Sequence, residues 1–187
     1  MAEWFKATVL KTVVPKRYRE FESHPLRTDK NYMKDTKAAL QWIVDILECH
    51  KITYRISGGF AAQIYGVRRE LADIDIEIAD ADILKIVADV KPHIVFGPAP
   101  YKDNNWDLRV MTLNFKGQEI DIAGANAKIF NKNMNRWEPV DTNLKRATIK
   151  EVFGRKVPVE PLDSLIDYKL KLGREVDLTD VEQLKGL

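Results

Sequence analysis

Asp73-Ile74-Asp75-Ile76-Glu77-Ile78 decides how this chain is read. Acid and isoleucine alternate without a break. Residues two apart in a strand point the same way. A strand here therefore carries Asp73, Asp75 and Glu77 on one face and Ile74, Ile76 and Ile78 on the other. Carboxylates side by side on a sheet face repel one another. A divalent cation is the simplest partner that offsets the repulsion, because hard cations take carboxylate oxygens. Glu119-Ile120-Asp121-Ile122-Ala123 repeats the pattern. If the two strands lie side by side, Asp121 completes a cluster with Asp73 and Asp75. Either strand alone also reads as the half-exposed strand of an ordinary sheet.

The segment upstream, Ser57-Gly58-Gly59-Phe60-Ala61-Ala62, shifts the balance. Glycines lack a Cβ, so backbone at Gly58 and Gly59 can approach a ligand closely. A helix starting just after them points free N–H groups at a phosphate. A phosphate site and a carboxylate metal site this close in sequence suggest a nucleotide–metal complex. Arg68 and Arg69 lie between the two. A guanidinium fork suits phosphate, and Arg69 is the stronger candidate. The plainer reading pairs both arginines with nearby surface acids.

In this order, Gly58-Gly59, Asp73-Ile-Asp75-Ile and a later strand with Asp121 resemble the polymerase β-type nucleotidyltransferase superfamily. The likeness is nearest to its small antibiotic-type and abortive-infection-type members and covers roughly residues 54–187. Arg69, four residues before Asp73, matches a further position of that pattern. Ser57 stands where the pattern has a hydrophobic residue, and Leu71 where it often has Ser or Thr. The resemblance implies an α/β (α+β) fold, a mixed sheet with helices mainly on one face. It implies that Asp73 and Asp75 hold two magnesium ions on the triphosphate of an NTP, with ATP expected. Asp121 then completes a metal site and aligns or deprotonates an acceptor hydroxyl. Ser57, Gly58 and Gly59 hold the phosphates, and Arg69 with Lys169 offsets their charge. The implied acceptor is a small molecule, an RNA 3′ end or a protein side chain. A second reading is a nucleotide-binding interaction module with little catalysis, of the toxin–antitoxin partner type.

Composition bounds the rest. At 187 residues, 45% hydrophobic and 31% charged, the chain suits one soluble domain with a core. A net charge of +2 argues against a strong basic field for bulk nucleic acid. The single Cys49 excludes an internal disulfide framework and fits a cytoplasmic setting. No apolar run is long enough to span a membrane, and the N-terminus lacks a signal-peptide pattern.

Residues 1–34 read as an N-terminal extension, with a candidate strand at 8–14 and basic Lys16-Arg17-Tyr18-Arg19. The domain proper is 35–187. Asp35 predicts the cap of a helix over 36–50, and Tyr54-Arg55-Ile56 a short strand. A helix over 60–66 follows, and Asp80 reads as the cap of another over 81–91. His93 to Phe96 reads as a strand and 97–105 as a loop, with Tyr101 or Lys102 in reach of substrate. Residues 108–115 turn through Lys116-Gly117-Gln118 into the Asp121 strand, a hairpin. A short helix is expected near 126–131 and a hairpin over 147–159. Pro161 opens a helix stopped by Gly173, with Lys169 on or beside its apolar face. Asp177 and Asp180 read as helix-capping residues.

Overall fold

The computed structural model describes residues 34–140 and 142–186. Apart from Lys34, the N-terminal extension and the readings made on it lie outside the described residues.

Helix α1 (Thr36–Cys49) begins where the sequence places it: the Asp35 carboxylate accepts the Ala38 N–H at 2.9 Å. Then follow β1 (Tyr54–Ile56), α2 (Gly58–Tyr65) and β2 (Asp73–Ile78). A 3-10 turn (Asp80–Lys85), the short α3 (Val87–Val90) and a second 3-10 turn (Lys91–His93) lead to the next strands. These are β3 (Ile94–Lys102), β4 (Trp106–Phe115), β5 (Gln118–Gly124), β6 (Lys128–Asn131) and β7 (Arg136–Pro139). Strands β8 (Thr148–Val152) and β9 (Arg155–Val159) precede α4 (Leu162–Leu172) and α5 (Glu175–Lys185).

Among the described residues the strands make one mixed sheet in the order β7-β6-β4-β5-β2-β1-β9-β8, with β3 paired to β4. The pairs β2–β5 and β1–β9 are parallel, whereas β1–β2 and β4–β5 are antiparallel. Strands β2 and β5 are neighbours in a register that sets Asp75 opposite Asp121 and Asp73 opposite Glu119. Ile74, Ile76, Ile78, Ile120 and Ile122 are fully buried in one cluster with Leu40, Ile43 and Leu47 of α1. Each such side chain contributes about 1.5–3 kcal/mol by leaving water. A slip of one residue would turn all five isoleucines out and the acids in. The core therefore fixes which way the carboxylates point.

Three expectations are corrected. The segment 81–91 is not one helix. Ile83, Ile86 and Val90 are all fully buried, and the three-residue step from Ile83 to Ile86 matches the 3-10 repeat. Asp80 does not cap it. Its carboxylate accepts the Asn126 N–H at 3.0 Å and ties the end of β5. The helix near 126–131 is instead β6, turned into β7 by Asn131, whose side chain accepts the N–H groups of Asn133 and Met134. Residues 97–102 extend β3 instead of forming a loop. Its register on β4 shifts twice, between Ile94 and Phe96 and again between Phe96 and Ala99, across Gly97 and Pro98. A strand with one partner tolerates proline, since the unpaired edge needs no N–H.

Candidate active site

The carboxylate face of β2 and β5 opens beside the N-terminus of α2. Oxygens of Asp73, Asp75 and Asp121 lie within 4.8 Å of one another. Asp73 and Asp75 are half-buried and Asp121 is buried. The donors that reach them are few. Gly59 N–H donates to the Asp75 carboxylate at 3.1 Å, and the Thr112 hydroxyl to Asp121 at 2.6 Å. No ion pair reaches the three carboxylates from any lysine or arginine among the described residues. Burial raises the Asp75 carboxyl well above its usual range, and the charges of Asp73 and Asp121 raise it further. Asp121 is pushed up to about 7, chiefly by burial, against the Thr112 hydrogen bond. Burial also raises Asp73, with Arg69 and Arg174 opposing.

The glycine pair closes on this cluster. Gly58 has φ +59°, a backbone conformation that side chains rarely adopt, and a Cβ there would sit 1.9 Å from an Asp75 oxygen. A Cβ on Gly59 would meet Arg69 Nη2 at 2.6 Å. Ser57 is buried at the start of α2, and its N–H donates to the Asp75 carbonyl at 3.0 Å. Ser57, Gly58, Gly59, Arg69 and the three aspartates are therefore brought together.

Lys169 is brought near by a different route. It is 1% exposed, with its ammonium on Asp180 at 2.9 Å and Asp177 at 3.3 Å. Asp180 also takes Arg69 Nε at 2.8 Å and Nη2 at 3.1 Å. Asp177 takes Arg174 Nε at 2.6 Å and Nη2 at 3.0 Å. Lys169 thus touches the site through Asp180 and Arg69. Asp177 and Asp180, expected as helix caps, are fully buried anchors of cations instead. Exposed Lys102 is paired with half-buried Asp107. Tyr101 bonds Asp103 and feels the Asp121 charge.

Sequence reasoning missed Thr112 and Arg174. A signal for Thr112 existed: Lys116 and Gly117 both have positive φ, a two-residue hairpin turn. That turn sets Phe115 opposite Gln118 and hence Thr112 opposite Asp121. For Arg174 only its three-residue spacing to Asp177 was available.

No protein-family model and no curated protein matches this chain. Solved structures do. A candidate nucleotidyltransferase from Thermotoga maritima superposes with a TM-score of 0.63 at 23% identity, over 85% of this chain and 99% of that one. The lincosamide antibiotic adenylyltransferase LnuA, bound to lincomycin, gives 0.54 at 20% identity, over 80% and 96%. The antibiotic-resistance factor ANT(2'')-Ia gives 0.51 at 16% identity, over 82% and 83%. The fold is the nucleotidyltransferase fold that the sequence resemblance implied.

Proposed function

We propose that the protein is a magnesium-dependent nucleotidyltransferase that moves a nucleoside monophosphate from an NTP, ATP foremost, to an acceptor hydroxyl. The observation that supports this most is the carboxylate triad, which no lysine or arginine among the described residues ion-pairs, pressed against Gly58. An all-oxygen set of three converging carboxylates fits magnesium and no soft metal. Asp73, Asp75 and Asp121 would hold the metal. Bound there, it would offset charge on the attacking and leaving oxygens.

The chain's own residues do the rest. Ser57, Gly58 and Gly59 hold the β- and γ-phosphates where a side chain would block them. Arg69 offsets their charge, with Lys169 holding Asp180 and so Arg69 in place. Asp121, held by Thr112, aligns the acceptor hydroxyl and takes its proton. The acceptor oxygen forms a bond to the α-phosphorus, the bond to the bridging oxygen breaks, and pyrophosphate leaves. Position and preorganised charge supply the rate.

LnuA is an antibiotic adenylyltransferase, so small hydroxylated acceptors are the first to try, ahead of RNA 3′ ends and protein side chains. The lone Cys49 suits the cytoplasm as the place of action. No helix among the described residues is long and apolar enough to cross a membrane.

The test is incubation with each α-labelled NTP and magnesium, with a panel of acceptors and with cell extract, following pyrophosphate release and label. Label transfer that is lost in Asp73→Ala supports the reading. Asp121→Asn is expected to abolish turnover and keep part of the nucleotide affinity. Magnesium-dependent binding with no transfer to any acceptor points to the binding module, and absence of NTP binding rejects both.

A further inference from the structure

The turn between α4 and α5 carries a second arginine, Arg174, which shares Asp177 with Lys169. Arg174 lies over the Trp106 ring, 4.6 Å from its centroid. Trp106 is steadied in turn, donating its indole N–H to the Tyr168 hydroxyl at 2.9 Å. The Arg174 charge opposes the effect of burial at Asp73, as the Arg69 charge does.

The two arginines are mounted alike. Each guanidinium is gripped through Nε and Nη2 by one buried aspartate, Asp180 for Arg69 and Asp177 for Arg174. Lys169 bonds both aspartates and ties the two mounts together. They differ in what is left over. Arg69 also gives Nη1 to the Glu70 carbonyl at 3.2 Å. Arg174 Nη1 donates to no group among the described residues, and the side chain is 29% exposed. An arginine with a purely structural task would spend its donors on the protein. A guanidinium held in plane with free N–H groups is preorganised for a phosphate, because little freedom remains to be lost on binding.

We propose that Arg174 is a further substrate-binding residue, a second fork that acts with Arg69 on the polyphosphate of the nucleotide and on the pyrophosphate that leaves. This rests on the nucleotidyltransferase reading. It adds to it a residue in the turn that leads into α5 and a division of labour. Arg174 recognises the polyphosphate and is indifferent to the monophosphate that is transferred.

The test uses the full chain with Asp121→Asn to stop turnover, titrated calorimetrically with magnesium and ATP, AMP or inorganic pyrophosphate. Adding Arg174→Ala is expected to weaken ATP and pyrophosphate roughly tenfold to a hundredfold, the range for losing a charge-assisted hydrogen-bonded pair. AMP affinity stays within about twofold of the parent by the same reasoning. Parent-like ATP affinity in the Arg174→Ala variant overturns the assignment and leaves the nucleotide site standing. Equal weakening of ATP and AMP also overturns it, since that marks a structural role. An unsubstituted chain that binds no ATP in the same titration removes the nucleotidyltransferase reading and this inference together. If Arg174→Ala fails to fold, Arg174→Gln, which keeps a donor for Asp177, is judged by the same split between ATP and AMP.

Discussion

Asp75 and Asp180 are both aspartates inside the protein, yet their charges are handled in opposite ways. Asp180 is fully buried, and burial pushes its carboxyl up, but hydrogen bonds from Arg69 and Lys169 outweigh that and hold it below the usual range. Asp75 is pushed well up by burial, then by Asp73 and Asp121, with one backbone N–H and the more distant Lys169 charge against them. Asp177 and Asp180 on α5 are each paired with cations and serve as scaffold. The cluster on β2 and β5 keeps its repulsion. Packing alone gives no reason to retain it, since uncompensated charge costs stability. That residual cost is what a bound cation would relieve.

The sharpest way to break this comparison is to remove one member from each cluster. Lys169→Met removes the ammonium that bonds both buried aspartates, each of which keeps its arginine, and is expected to cost about 1.5–3 kcal/mol of stability. Asp75→Asn removes repulsion and is expected to stabilise the metal-free protein by up to about 1 kcal/mol. Urea unfolding in the presence of a chelator reads both. Losses of similar size in the two variants would erase the distinction between scaffold and site.

Magnesium gives a second, smaller contrast. At about 100 times its dissociation constant, a ligand of the folded state adds ~2.7 kcal/mol. That gain is expected in the parent and absent in Asp75→Asn, followed by thermal unfolding with and without the metal. The same gain in both proteins would move the metal away from the triad.

A third cluster lies between the two cases. Glu77 and Glu160 share Arg55, with an Arg55 Nη2 to Glu160 distance of 3.2 Å. Glu160 is pushed up to about 8, by burial first and then by the Glu77 charge, with Arg55 opposing. Its folded value lies above the unfolded one, near 4.3, so the folded chain holds the extra proton. Stability therefore falls as pH rises through that window and levels off above it. Between pH 7 and pH 8 the loss is ~1 kcal/mol, and Glu160→Gln is expected to remove it. Parallel pH profiles of the thermal midpoint for parent and variant would show Glu160 to be charge-compensated after all.

Much of the site was legible because it is written in local alternation. The period of two in Asp73–Ile78 and in Glu119–Ala123 placed the acids on one face, and burial of the isoleucines enforces it. The Gly58-Gly59 pair, which opens α2, was legible as adjacent residues without a Cβ, and a Cβ would meet Asp75 at Gly58 and Arg69 at Gly59. Helices α1 and α4 and the β4–β5 and β8–β9 hairpins follow from caps and turns near in sequence. What failed was strand β6, whose four residues are too short for periodicity to mark, the 97–102 part of β3, read as loop from its prolines, the 3-10 path after β2, which core geometry imposes, and the buried pairing of Asp177 and Asp180.

The sequence by itself determined the carboxylate strands, the glycine turn and the arginine between them, because each depends on neighbours a few residues away. Only the tertiary structure decided that β2 and β5 are adjacent and parallel, which brings Asp121 to Asp73 and Asp75. It also decided the fate of the charges on α4 and α5. Arg69 and Asp180, like Lys169 and Asp177, meet only because α4 and α5 fold back beside the sheet. The balance of burial against pairing that separates scaffold from site is a property of that assembled space, and no periodicity in the chain encodes it.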